Sequence, residues 1–497
     1  MTESEKVATP TPEPRPEGAT DASPEDAAHL RVEGRAPNAA HLGKWLLPGT
    51  RSRRWIVAVG IYAVCVVVFA IVAGKQRIGE HTPYNHYAHV ANAWLHGRQD
   101  LPGGGPAYAQ GNDFAEFEGK TYVSFPPFPA VLMLPFVAIA GSPEEFRDGQ
   151  FIVWLAGIGP ALLFLLLEKL RDQGRSSWGE PFNAALSLIF AFGTVYFFSA
   201  VQGTVWFAAH VVGVGLAAAY LLVAVDAERP WLAGLLCACG WATRPTLLLT
   251  SIFFGLEALR VSCTDNGGLP TEGTFLERAR ETLRRIDMRA FLRRCIVFTI
   301  PILGAFAILS WMNATRFHTW SPFAGHEYLG IRWRPRIDKW GLFGYHYFAK
   351  NLGVMLTSLP WLPPPGARSH GAPPFQINLH GLALWFTTPL YLWLFRPKKM
   401  TWLYGALALT AGVEAFMNAL YQNSGWLQFG YRFSNDYAIL LFVLLALGGR
   451  PAGFWFRVAA IWGIGWNLFG AMTFERGAST AQYYFAEGSQ GVVYQPD

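Results

Sequence analysis

The sequence predicts an all-α integral membrane protein of about 11–12 transmembrane helices, with a large first extracytoplasmic loop carrying surface helices. Three observations predict it. The 497 residues are 52% hydrophobic and 15% charged, with a mean hydropathy of +0.22, whereas a soluble domain carries about 25% charged residues. Several apolar runs exceed the ~18 residues that mark a membrane span. Basic residues cluster beside those runs, as the positive-inside rule expects of cytoplasmic loops. The formal charge of +6 is therefore no nucleic-acid signal.

Residues 1–45 are rich in Pro, Glu, Ala and Thr. Such a composition cannot offset the entropy of ordering, so a disordered cytoplasmic tail without a signal peptide is expected. Arg51, Arg53 and Arg54 precede a first span at 55–74, which opens a polytopic domain covering 46–475 and places its start inside. The polar segment 75–149 then lies outside as an active-site loop. Further spans are expected at 150–169, 182–201, 207–226, 231–243, 245–259, 294–312, 378–396, 401–421, 436–449 and 453–473. The basic clusters at 169–175, 278–294, 396–399 and Arg450 all fall inside under two conditions. Residues 125–141 must return to the outer surface without crossing, and 231–259 must turn back at Arg244-Pro245. That gives about eleven crossings. In the alternative, 125–141 crosses and 231–259 is one long span, which puts the basic 169–175 segment outside. A second large external loop covers 313–378, with a short apolar helix at 346–359, a third covers 422–435, and 476–497 is an external tail. Cys65, Cys237, Cys239, Cys263 and Cys295 all avoid the external loops, so no structural disulfide is expected. Cys237-x-Cys239 lacks partner ligands and reads as packing.

The chemistry concentrates between Gly79 and Gly141. Tyr84, Tyr87, Ala88, Ala91 and Leu95 recur at helical spacing on one face, which predicts a helix lying along the membrane surface and ending at His96-Gly97. Glu80, Asp100 and Asp113 are candidate general bases, able to take a proton from an acceptor hydroxyl. Glu116 and Glu118 read as a solvated acidic strip. The prolines of FPPFP at 125–129 cannot continue a helix but suit the start of one. Arg244, in WATRPT within an apolar run, marks either an anion site, where a guanidinium grips phosphate oxygens in pairs, or a helix end snorkelling to the interface. Arg432 and Asp436, four residues apart, read as a pair on one helix face or as members of the same site. His210, near the outer start of its span, reads as a packed residue or a site contact.

The segments NHYAHVANAWLHGRQDL, FPPFPAVLMLPF, LAGLLCACGWATRPT and GWLQFGYRFSND resemble the GT-C superfamily of polytopic glycosyltransferases, over residues 55–475. The resemblance implies a hexosyl- or pentosyltransferase of the bacterial inner membrane, with a polyprenyl-phosphate-linked sugar as donor and a glycan, lipid or protein as acceptor. Members place a catalytic Asp or Asp-Glu pair at the start of the surface helix, where this chain has Asn85-His86. Glu80, Asp100 or Asp113 would then supply the carboxylate, or the chain is a non-catalytic relative. Asp100 matches the acidic residue after the surface helix, and Arg244 matches a basic residue near the lipid phosphate. Asn85, His86, His210, Arg432 and Asp436 are the further candidate substrate contacts. Many relatives use a divalent ion such as Mg or Mn, but no metal ligands stand out in this sequence. A transporter or flippase of a lipid-linked or small anionic solute would use the same arginines, although the chain shows none of the repeat symmetry of many transporters.

Overall fold

Backbone polar groups surrounded by lipid must bond within their own segment, and helices satisfy this. A computed structural model describes residues 43, 46–111, 113–328, 334–363 and 373–485. Nearly all of the expected N-terminal tail, most of a Pro-rich turn expected at 360–374 and the end of the C-terminal tail lie outside the described residues. The chain divides into two units, Met1–Arg54 and Trp55–Asp497, and helices dominate the second. Six helices are long and apolar enough to cross a membrane, namely Arg51–Ile78, Asp148–Asp172, Val205–Ala227, Pro245–Ser262, Met288–Phe317 and Trp402–Leu420, as in an integral membrane protein. In chain order the elements include α1 (Arg51–Ile78), α2 (His86–Leu95), β1 (Phe114–Phe117), β2 (Lys120–Val123), α3 (Phe128–Ala140) and α4 (Val205–Ala224). They continue with α5 (Pro230–Trp241), α6 (Ser251–Ser262), α7 (Phe275–Arg285), α8 (Met288–Phe317), α9 (Trp402–Leu420) and α10 (Phe454–Thr473).

The passes run between two polar ends. At one end the loop after α1 is pinned by Asp148, whose carboxylate accepts from the backbone N–H (2.7 Å) and hydroxyl (2.6 Å) of Thr82. There too Arg476, just past α10, donates to the carbonyls of Val72 and Ala73 (2.8 Å each), a cation at a helix C-terminus. At the other end Asp226 accepts from both Arg175 and Arg260, Glu257 accepts from Arg260 at 2.9 Å, and Lys169 meets Glu228 at 2.9 Å. α4 connects the two ends with 20 residues, about 30 Å at 1.5 Å per residue, close to the thickness of a bilayer's hydrocarbon.

Several segments depart from the expected spans. The run at 182–201 is interrupted: a helix over Glu180–Gly193 gives way to extended backbone at Thr194 before a short turn at Tyr196–Ala200. The aromatic run at 378–396 is no single helix. It comprises one strand residue pair, a four-residue helix at Leu384–Thr387 and a 3-10 stretch from Pro389 to Phe395, because Thr388 is non-helical (φ −138°, ψ 74°) and Pro389 follows it. The helix expected over 436–449 covers only Ala438–Leu447 and is almost entirely buried. A segment enclosed by other helices need not match the lipid thickness. Leu95 is exposed, although Tyr87, Ala88 and Ala91 face inward.

The loop geometry is compact. α3 packs along α2, and the segment after it returns to the same region, where Pro143 accepts from Asn85 (3.0 Å) and Glu144 lies 3.7 Å from His89. The 231–259 run turns at Arg244: Cys237 on α5 meets the hydroxyl of Thr250 (3.6 Å) on the returning segment.

Small residues set the closest helix contacts, among them that of α5 with α8. A Cβ added at Gly234 on α5 would lie 2.0 Å from the Phe298 carbonyl oxygen on α8, so only glycine permits this approach. Gly234→Ala is expected to destabilise the fold by about 1–3 kcal/mol through overpacking. A lower thermal-denaturation midpoint in detergent shows it, and an unchanged midpoint contradicts the tight contact.

Candidate functional site

The first turn of α4 organises the site. Gly203, with φ +77°, lets the chain turn where a Cβ would meet the Cα of Gly149 at 2.5 Å, and Val205 N–H then donates to Tyr84 O (3.0 Å). The next residues present three groups in succession. The Trp206 indole N–H donates to Asp113 Oδ2 at 2.7 Å. The Phe207 ring lies 5.1 Å from the Arg432 guanidinium carbon. One turn later His210 Nδ1 stands 3.4 Å from Asp436 Oδ1.

Asp436 is the hub. Arg244 grips its two oxygens in a fork, Nε at 2.9 Å and Nη2 at 2.8 Å, the geometry that makes Arg–carboxylate pairs strong. The Thr246 hydroxyl adds 2.8 Å and the Asn418 amide 3.3 Å. Arg244 reaches this position because it ends the α5 turn in extended backbone (φ −141°, ψ 114°), as a residue before proline prefers. Its side chain is 18% exposed against 2% for Asp436, so the guanidinium forms the approachable edge of the pair.

Arg432 lies beside it in an aromatic sleeve, 5.1 Å from Phe207 and 5.7 Å from Phe433. Nη1 donates to Leu427 O (2.8 Å), while Nε has no hydrogen-bond partner among the described residues. Burial first, and then the Arg244 charge, pull the Arg432 guanidinium down to about 9, with Glu475 and Asp113 acting the other way. Asp113 is thus close enough to act on Arg432 through its charge. Tyr87 and Tyr431, both within the field of Arg244, also carry hydroxyls without partners among the described residues. Buried donors without partners are rare in folded proteins. Two cations, of which only Arg244 is matched by a forked carboxylate, and unspent donors make a site that can receive an anion beside Asp113.

Of the three candidate bases, only Asp113 is placed here. It adopts left-handed backbone (φ 60°) just before β1. Asp100 pairs with Arg98 at 2.5 Å, and that hydrogen bond leads the effects holding its carboxyl below the usual range. Glu80 is exposed just past α1. Asn85 and His86 support the loop: Asn85 donates to Pro143 O and accepts from the Tyr108 hydroxyl (3.0 Å), while His86 stacks on Phe114 at 4.4 Å, 9° from parallel. The expected Arg432–Asp436 pair does not form, because Arg244 and its companions occupy the carboxylate. Trp206, Thr246, Asn418, Tyr87 and Tyr431 were not expected at the site. Asn418 had a signal, being an amide inside an apolar span. Among the described residues no group of three or more His, Cys, Asp or Glu side chains could hold a metal ion. Comparison with family models, curated proteins and solved structures gives no match.

Removing Asp436 leaves Arg244 buried without its counter-charge, which costs about 3–5 kcal/mol. Asp436→Asn is expected to lower thermal stability by that order, and adding Arg244→Met to recover much of it. Independent, additive effects of the two changes contradict the pairing.

Proposed function

We propose that the chain is a membrane glycosyltransferase that moves a sugar from a polyprenyl-phosphate-linked donor to a glycan, lipid or protein hydroxyl at the extracytoplasmic face of a bacterial inner membrane. The observation that carries this reading is the convergence of one carboxylate, Asp113, with two guanidinia, Arg432 and Arg244, through a single turn of α4. The resemblance of the loop and arginine segments to GT-C transferases supports it. The arginine-rich opposite end, with Arg171, Arg175 and Arg260, suits the cytoplasmic side, in keeping with a site that faces outward.

In this reaction the acceptor oxygen bonds to the anomeric carbon as the bond from that carbon to the phosphate oxygen breaks. The bonding pair leaves with the polyprenyl phosphate, and the acceptor proton passes to Asp113. Arg432 and the open edge of Arg244 receive the departing phosphate; fixed charge aimed at a developing anion is commonly the largest catalytic term. Trp206 holds one Asp113 oxygen and so orients the base. Asp436 acts through Arg244, as a positioning residue.

Asp113→Asn is expected to lower transfer from a radiolabelled polyprenyl-phosphate sugar in proteoliposomes by about 10²-fold or more, with Asp100→Asn and Glu80→Gln near wild type. Full transfer by Asp113→Asn sinks the assignment of the base. Donor translocation without turnover points to a transporter instead.

A further inference from the structure

The end of the bundle opposite Arg244 carries a helix with no buried residue, α7. It is formed by local forces: Thr274 and Glu277 close a reciprocal capping box, with Glu277 N–H donating to the Thr274 hydroxyl (3.3 Å) and Glu277 Oε2 accepting from Thr274 N–H (2.7 Å). At about 100° per residue, Phe275, Leu276, Ala279, Leu283 and Ile286 fall in one narrow stripe. Arg278 and Arg280 flank the stripe on its two sides, while Glu277 and Glu281 occupy the back of the helix. Phe275, Leu276 and Leu283 are 77%, 77% and 69% exposed.

The position of α7 says what covers that stripe. Its C-terminal end is fastened to the rim of the bundle, where Asn266 donates to Arg285 O (2.7 Å) and Asp287 N–H to Ser262 O (2.8 Å). Directly after it, α8 begins with Arg289, Arg293 and Arg294, and Arg294 donates to the Ser262 hydroxyl at 3.1 Å. Leu292, Ile296 and Ile300 of α8 are about half exposed or more, so the apolar outer wall of the bundle starts within a few residues of the stripe. From Phe275 to Arg294 seven arginines stand against three acidic residues. An apolar stripe with basic flanks and an acidic back, held at the edge of a membrane-crossing wall, is complementary to a bilayer surface bearing negative charge.

We propose that α7 is a lipid-surface helix for anionic phospholipid. It lies in the interface with Phe275, Leu276 and Leu283 among the upper acyl chains and Arg278 and Arg280 on headgroup phosphates, its back, where Arg284 meets Glu281 (3.6 Å), toward water. Docking of α7 ties the outer rim of α6 and α8 to the charge of the leaflet.

Hydrogen–deuterium exchange of the full chain in nanodiscs tests this, comparing phosphatidylcholine alone with phosphatidylcholine plus phosphatidylglycerol. Exchange across 275–285 is expected to slow on the order of tenfold with phosphatidylglycerol and to recover at high salt. The variant Arg278→Gln/Arg280→Gln keeps the apolar stripe and the capping box, and is expected to lose the dependence on phosphatidylglycerol. Equal exchange in both lipids overturns the proposal, as does slowing that the arginine variant retains. Slowing that follows protein concentration and not lipid composition overturns it in favour of a second copy of the chain.

Discussion

One buried ion pair holds four elements of this protein together. Asp436 accepts from Arg244 at the turn after α5, from Thr246 on the returning 3-10 segment and from Asn418 near the end of α9, with His210 of α4 at its other side. Taking two charges from water is costly and is offset only where geometry and additional hydrogen bonds are good. Here the carboxylate receives a forked guanidinium, a hydroxyl and an amide, so the pair is well satisfied. Its partners come from segments far apart in sequence, and it therefore acts as a fastening between helices.

The same pair sets the electrostatics of the site. With Asp436 matched to Arg244, Arg432 is left in an aromatic sleeve where two carboxylates, Glu475 and Asp113, favour its charged form. Phe207 and Phe433 exclude water around it, and a low dielectric strengthens its field. The loop before α4 is in turn located by Asp148 on Thr82 and by Asn85 on Pro143. A loop fixed at both places can carry Asp113 to Trp206 with defined aim. Packing at one end of the bundle thereby becomes a chemical arrangement of a base and two cations.

Much of this was legible in the sequence, and the failures have physical causes. The long apolar helices follow from hydropathy, and Arg244, Arg432 and Asp436 stand out as charges in apolar surroundings. Their pairing does not. Four-residue spacing favours Arg432 with Asp436, yet Arg244, 192 residues away, takes the carboxylate because the α5 turn delivers it there. Nor could composition separate Asp113 from Asp100 and Glu80, since the choice depends on how the loop folds back onto α4. The aromatic run containing Thr388-Pro389 has the hydropathy of a span, but its backbone is broken, and its buried location removes any need to span lipid.

The most direct measurement is the affinity of the detergent-solubilised protein for a polyprenyl monophosphate lacking any sugar, compared between the native chain and Arg432→Gln. The Arg244–Asp436 pair is untouched by that substitution, so the fold is expected to keep its thermal stability. Loss of a charge-assisted contact to phosphate predicts binding weakened by about tenfold or more. Equal affinity in the two proteins would contradict an anion site built on these arginines.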